Sequence, residues 1–202
     1  MIRLGITGGV GMGKSMASKL LYERGFKVTD SDEIARALVE PGKPALEEIV
    51  KAFGPEVLMD NGGLNRKKVS ELVFSDTSKR ITLEGILHPV IRKIWQHSLN
   101  VWAAQNEKLG VVVLPLLYEK AYEMHFDKVV CIACSEEVQR DRLCQRGWSD
   151  LEIDRRIKAQ LLTEEKKRRA DYVVWTDGPI DKHAKQWDEL VSYLFVGSEV
   201  DD

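Results

Sequence analysis

Apolar residues gather in short, nearly unbroken runs at Leu4 to Thr7, Phe26 to Thr29, Val111 to Leu114, Lys128 to Cys134 and Tyr172 to Trp175. Runs of this length with few polar interruptions predict strands covered on both faces, as in a parallel sheet. Stretches with helical spacing of apolar positions lie between them, so β and α units alternate. The predicted class is α/β, a parallel sheet covered by helices.

The spacing of the runs is uneven. A single helix, Lys14 to about Arg24, separates the first two and is stopped by Gly25. About eighty residues separate the second from the third, far more than one crossover helix needs. That interval reads as helical pieces broken at "EPGKP", "DNGG" and "HP". Its last piece is expected to begin at Pro89, a good first helical residue, with Ile91, Ile94, Trp95 and Trp102 on one stripe. The interval predicts a helical insertion suited to gripping a substrate, although a purely structural insert has the same periodicity. After the fourth run, residues 135–146 predict a helix ending at Gly147, and Ser149 with Glu152 forms a capping box for another. Arg142 and Arg146, four apart, share a face of the first of these helices. The run "EEKKRR" at 164–169 is expected to be a solvated face, and the terminal "SEVDD" to fray.

Composition narrows the class. With 202 residues, 44% hydrophobic and 31% charged, the chain suits one sizeable soluble core. A net charge of −2 gives no field favouring nucleic acid or an anionic membrane. The longest apolar stretch, "VVVLPLLY", is far short of the roughly 18 residues a membrane span needs. Met1 is followed at once by Ile2, Arg3 and a strand, so no signal peptide is expected. Three cysteines, an odd number, fit a reducing, cytoplasmic setting. Cys131 and Cys134 form C-x-x-C, but on a strand they point to opposite faces, which predicts core cysteines rather than metal ligands.

The chemistry concentrates in "GGVGMGKS". Gly8 to Ser15 matches G-x-x-x-x-G-K-S directly after a strand and directly before a helix. Glycines let successive amides converge on phosphate oxygens, and the helix beginning at Lys14 adds its positive dipole end. Lys14 can reach the β- and γ-phosphates and the Ser15 hydroxyl can ligate magnesium, so a nucleoside triphosphate with Mg2+ is the expected ligand. A tight glycine turn without a ligand is the bland alternative.

The second run ends "VTDSDEIAR", which places Asp30 and Asp32 at the carboxyl edge of the sheet, where open α/β folds bind ligands. Asp32 is the better candidate for a base that accepts a hydroxyl proton, although either aspartate can cap the next helix. The third run ends "VVVLPLLYE" without the aspartate that motor ATPases offer to magnesium, and no N-K-x-D guanine motif is present. These absences count against a nucleotide-dependent switch and favour a kinase with a separate acceptor. The "DNGG" match to D-x-x-G is fortuitous, since it falls in the insertion.

The sequence resembles the dephospho-coenzyme A kinase family. "GITGGVGMGKS" is similar to the family's phosphate loop, and "DSDEIAR" with "VEPGKPALEEI" to its substrate-side aspartate segment. "GGLNRKKVSELVF" and "LEGILHPVIR" are similar to its insertion helices, while "LPLLYE", "QRDRLCQR", "RRIKAQ" and "RADYVVWTDG" follow in the same order. The resemblance runs to about residue 178 and implies a P-loop NTPase-type sheet with a helical substrate-binding insertion and a helical lid. It implies a single kinase domain, with a nucleotide-binding core at 1–32, 109–134 and 170–196, a coenzyme A subdomain at 33–108 and a lid at 135–169. The implied reaction is ATP-dependent phosphorylation of the ribose 3′-hydroxyl of dephospho-coenzyme A; another P-loop small-molecule or nucleotide kinase is the alternative. Carried over by position, Asp32 is the base, Gly11, Met12, Gly13, Lys14, Ser15 and Met16 hold ATP, and Ser15 holds magnesium. Arg142 and Arg146 stabilise the transferring phosphoryl, and Leu116, Leu117 and His88 lie on the substrate side. A cytoplasmic enzyme, with a monomer favoured and no nucleic-acid or membrane partner, is implied. Met12 and Met16 depart from the usual serine and threonine, and "WTDG" replaces an asparagine-bearing end, which puts base contacts at Thr176 and Asp177 in question.

Overall fold

Strand β1 (Ile2–Thr7) leads into helix α1 (Lys14–Glu23) and strand β2 (Lys27–Asp30). Helices α2 (Ser31–Leu38), α3 (Pro44–Phe53), α4 (Arg66–Ser75) and α5 (Thr77–Ala104) follow. Strand β3 (Leu109–Val113) and strand β4 (Lys128–Ala133) precede helices α6 (Glu136–Gln145), α7 (Asp150–Lys158) and α8 (Thr163–Arg169). Strand β5 (Tyr172–Trp175) and helix α9 (Ile180–Gly197) are the last elements among the described residues. The structure, a computed structural model, describes residues 1–197; the acidic terminal stretch lies outside the described residues.

The strands form one sheet in the order β2-β3-β1-β4-β5. β1 runs parallel to both β3 and β4, with Leu4 opposite Val111 and Ile6 opposite Val130, and β4 runs parallel to β5. Every residue of β3 is buried, which is why its sequence lacks polar alternation. Each expected strand is present, with ends shifted by a residue or two. The second begins at Lys27 rather than Phe26 because the Phe26 N–H donates to the Leu21 carbonyl and the Gly25 N–H to that of Tyr22. This closes α1 in a Schellman turn, with Gly25 at φ +83°.

The chain divides into two compact units. One joins Met1–Val28 with the chain from Trp102 onward, and the other spans Thr29–Val101. In the first, Leu4, Ile6, Leu21, Val111, Val130, Ile132 and Trp187 are fully buried around the sheet. In the second, Val39, Ile49, Phe53, Val57 and Val69 form a separate core. There "DNGG" closes a small turn, with Leu58 bridging antiparallel to Leu64.

Three expectations are corrected. The break at "HP" does not occur, because α5 runs unbroken through Pro89 for 28 residues. A proline in mid-helix loses a hydrogen bond and its ring crowds the carbonyl four residues back. That residue is Gly85, which has no side chain to hold its backbone in place against the ring. The buried stripe is Ile91, Trp95 and Leu99, while Ile94 is exposed. "EEKKRR" is not wholly solvated either, because Lys166 is completely buried. Its ammonium donates to the Pro115 carbonyl at 2.6 Å and pairs with Glu119 Oε1 at 2.8 Å, which is how burial of a lysine is tolerated.

Candidate active site

The glycine loop joins β1 to α1, and its glycines are required by geometry. Gly8 has φ +144°, and a Cβ there would lie 2.4 Å from the Ile132 carbonyl oxygen. Gly11, at φ +78°, would meet Leu143 of α6 at 2.9 Å. Gly13, left-handed at φ +94°, occupies the N-cap of α1, and no side chain caps that helix. An uncapped helix start facing a glycine loop is a site for anions. Lys14 Nζ donates to the carbonyls of Gly8 and Gly9, each at 2.9 Å, so its charge is held over the loop. Ser15 is exposed on the first turn of α1.

The two methionines behave differently. Met12 is buried, and its carbonyl accepts the Thr176 hydroxyl at 3.0 Å, so its side chain is core while its backbone belongs to the loop. Met16 lies exposed on α1.

The segment after β5 closes one side of the loop. Arg142 of α6 donates to the Thr176 hydroxyl at 2.8 Å and to its carbonyl at 2.6 Å, and Thr176 in turn grips Met12. Asp177 accepts the Ser135 amide at the start of α6, and these bonds hold its carboxyl below the usual range. Arg146, at the C-cap of α6, is exposed. The predicted box at Ser149 is half made: its hydroxyl accepts the Glu152 amide, while the Glu152 carboxylate turns to Arg156.

Helices α6 to α8 reach the loop through residues that sequence reasoning passed over. Gln139, buried on α6, donates to the Val10 carbonyl at 2.7 Å, and Gln160, just beyond α7, accepts the Val10 amide at 2.9 Å. A cavity of about 270 Å³ opens here, with Gly9, Met12, Gln139, Gln160, Leu161 and Thr163 among its lining. The Glu119 carboxylate that pairs with Lys166 also accepts the Leu161 amide at 2.8 Å, tying the turn after β3 to the start of α8. Nothing in local periodicity marks these residues, because their partners lie 42 to 150 positions away.

Of the remaining candidates, Asp30 and Asp32 are placed differently. Asp30 is the N-cap of α2, its carboxylate accepting the Asp32 amide at 2.8 Å. Asp32, on the first turn of α2, is exposed. His88 is half-buried on α5. Leu117 is fully buried against Gly5 of β1, so of the leucine pair only Leu116 has surface to offer a ligand. Cys131 and Cys134 are buried thiols, the first pushed up to about 11 by desolvation and the second also raised, as expected of core cysteines.

The profile of the dephospho-CoA kinase family matches residues 2–182. A curated relative from Anaeromyxobacter dehalogenans named dephospho-CoA kinase is 43% identical over 192 residues, covering 95% of this chain and 91% of the relative. Among solved structures, a Thermus thermophilus protein superposes with TM-score 0.79 at 31% identity, over 96% of this chain and 97% of that one. The dephospho-CoA kinase of Campylobacter jejuni superposes with TM-score 0.69 at 25% identity, over 97% and 98% of the two chains.

Proposed function

The chain belongs to the dephospho-CoA kinase family, and from that premise we propose that it moves the γ-phosphoryl of ATP to the ribose 3′-hydroxyl of dephospho-coenzyme A, giving coenzyme A and ADP. The observation that carries this reading is the span of the family match, which takes in the phosphate loop, the Asp32 segment and α6 to α8 together. The loop backbone and the start of α1 receive the ATP phosphates, and Lys14 exchanges its two carbonyl partners for phosphate oxygens.

The residues present fit a magnesium ion that arrives with the nucleotide. Ser15 offers an exposed hydroxyl, and among the described residues no group of three or more His, Cys, Asp or Glu side chains could hold a metal alone. When bound, the ion neutralises charge on the phosphate oxygens.

Asp32 is the base that orients the 3′-hydroxyl and takes its proton, since Asp30 is already committed to capping α2. Arg142 and Arg146 counter the charge that develops on the transferring group. Residues 33–108 receive the acceptor, with Leu116 and His88 on the substrate side, and 135–169 form the lid that excludes water. Free cysteines and the buried C-x-x-C support a reducing, cytoplasmic setting, and among the described residues no helix is long and apolar enough to cross a membrane.

The test is ADP release from ATP and magnesium with dephospho-coenzyme A present or absent, and with adenosine, AMP and gluconate as rival acceptors. Release only with dephospho-coenzyme A, with coenzyme A as product, is the expected result. Release with another acceptor would move the substrate assignment, and none with any acceptor would overturn the kinase reading. In the same assay Asp32→Asn should keep its ATP affinity and lose about a thousandfold in turnover. Near-normal turnover would remove Asp32 from the role of base.

A further inference from the structure

Val10 stands at the tip of the loop between Gly9 and Gly11, the most freely rotating stretch of the site. Glycine supplies the shape that phosphates need, but it also leaves the amides many other directions to point. A loop that must be ordered afresh at each binding event loses affinity by that entropy. Something has to restrain the tip.

Both backbone groups of Val10 are engaged by side chains. Its carbonyl accepts from Gln139 Nε2 at 2.7 Å, and its amide donates to Gln160 Oε1 at 2.9 Å. The first bond fixes the peptide plane after Val10 and the second the plane before it. The glutamines come from separate places, α6 and the turn beyond α7, so the tip is held from two sides. Gln139 is only 5% exposed, and a Cβ added to Gly9 would sit 3.3 Å from its amide nitrogen, so the clamp is closely packed. The direction of each side-chain amide is set by its backbone partner, since a nitrogen must meet the carbonyl and an oxygen the N–H.

We infer that Gln139 and Gln160 are positioning residues for nucleotide binding, which clamp the Val10 peptides so that the inner amides of the loop already point at the phosphates when ATP arrives. This rests on the reading of the loop as an ATP site. The clamp has a polarity, donor at 139 and acceptor at 160, that mere packing lacks. Glutamate is nearly isosteric with glutamine and adds the same charge at both positions. At 160 it can still accept the Val10 amide, whereas at 139 it loses the donor and sets an anion against a carbonyl.

The experiment measures equilibrium ATP binding, steady-state kinetics and exchange of the Val10 amide in the full chain. Gln139→Glu should weaken ATP binding about tenfold, and Gln160→Glu should remain within about threefold of wild type. Turnover at saturating ATP should change less than KM in both. In the nucleotide-free protein the Val10 amide should exchange slowly in wild type and in Gln160→Glu, and quickly in Gln160→Leu. Equal effects of the two glutamates, or rapid Val10 exchange in wild type, would overturn the clamp. If wild type bound no ATP, the functional reading would fall, while the exchange of Val10 would still decide whether the tip is held.

Discussion

Helices α6 and α8 both come from strongly charged stretches, "QRDRLCQR" and "EEKKRR", and each brings a cation into the first unit, but the two cations are satisfied differently. The guanidinium of Arg142 meets neutral acceptors, the hydroxyl and carbonyl of Thr176. The ammonium of Lys166 is fully buried against a carboxylate, that of Glu119, as well as the Pro115 carbonyl. A cation oriented by neutral groups keeps charge to offer an incoming phosphate. One neutralised by a buried carboxylate has spent it on the fold. The contrast separates a cation held by neutral groups from one neutralised within the fold, although the two runs look alike as strings of charge.

The most severe way to break this contrast is Lys166→Met. Removing one partner of a buried pair strands the other, and a loss of about 3–5 kcal/mol in unfolding free energy is expected. Urea denaturation followed by tryptophan fluorescence measures it. Adding Glu119→Gln, which keeps an acceptor for the Leu161 amide and removes the stranded charge, should restore much of the loss. A Lys166→Met protein that unfolded like wild type but failed to bind ATP would place Lys166 with Arg142 instead.

Arg142→Met should show the opposite profile. Its hydrogen-bond partners are neutral and it attracts the Asp177 carboxylate only weakly, so stability should change by only about 1 kcal/mol, whereas turnover should fall about a hundredfold. Arg146 is exposed at the C-cap, and Arg146→Met is expected to cost about tenfold or less. Steady-state rates beside unfolding midpoints for the two variants check the ranking. Equal losses at both positions would mean that contact with Thr176 does not single Arg142 out.

Much of this was legible in the residues before any fold was known. The loop from Gly8 to Ser15, the five strands and the stop at Gly147 rest on local signals: hydrophobic runs, positive-φ glycines and caps. Asp32 could be preferred over Asp30 as the base, but which of the two caps α2 could not be read, because that depends on which carboxylate turns back on the helix. The continuous α5 was missed because Pro89 is a strong breaker, and its companion Gly85 has no recognised sign of its own. Lys166 and the Val10 clamp were invisible for a deeper reason. A hydropathy pattern reports whether a residue tends inward, not which distant partner compensates it, and those partners are supplied by the sheet topology. Charged and amide side chains that pair across 42 or 150 residues therefore read as surface until the strands are in order.

A last, smaller effect sharpens the contrast through pH. Asp177 accepts the Ser135 amide at the N-terminus of α6, where an anion also favours the helix dipole. Its folded carboxyl is held below the ordinary aspartate range, chiefly by hydrogen bonding to Ser135, with Arg142 adding a weaker attraction. A group with a depressed folded pKa stabilises above its unfolded pKa, near 4, and that contribution disappears as pH falls through the lower folded value. The wild type should therefore exceed Asp177→Asn in thermal midpoint at pH 7, with the difference shrinking below about pH 4. Since Asp177 adjoins Thr176, the partner of Arg142, loosening this anchor should raise KM for ATP in Asp177→Asn at pH 7, with less effect on turnover. If the midpoint difference persisted unchanged to pH 3, the charge of Asp177 would not be what secures α6, and the helix would owe its position to its other contacts, Gln139, Arg142 and the buried Leu143 among them.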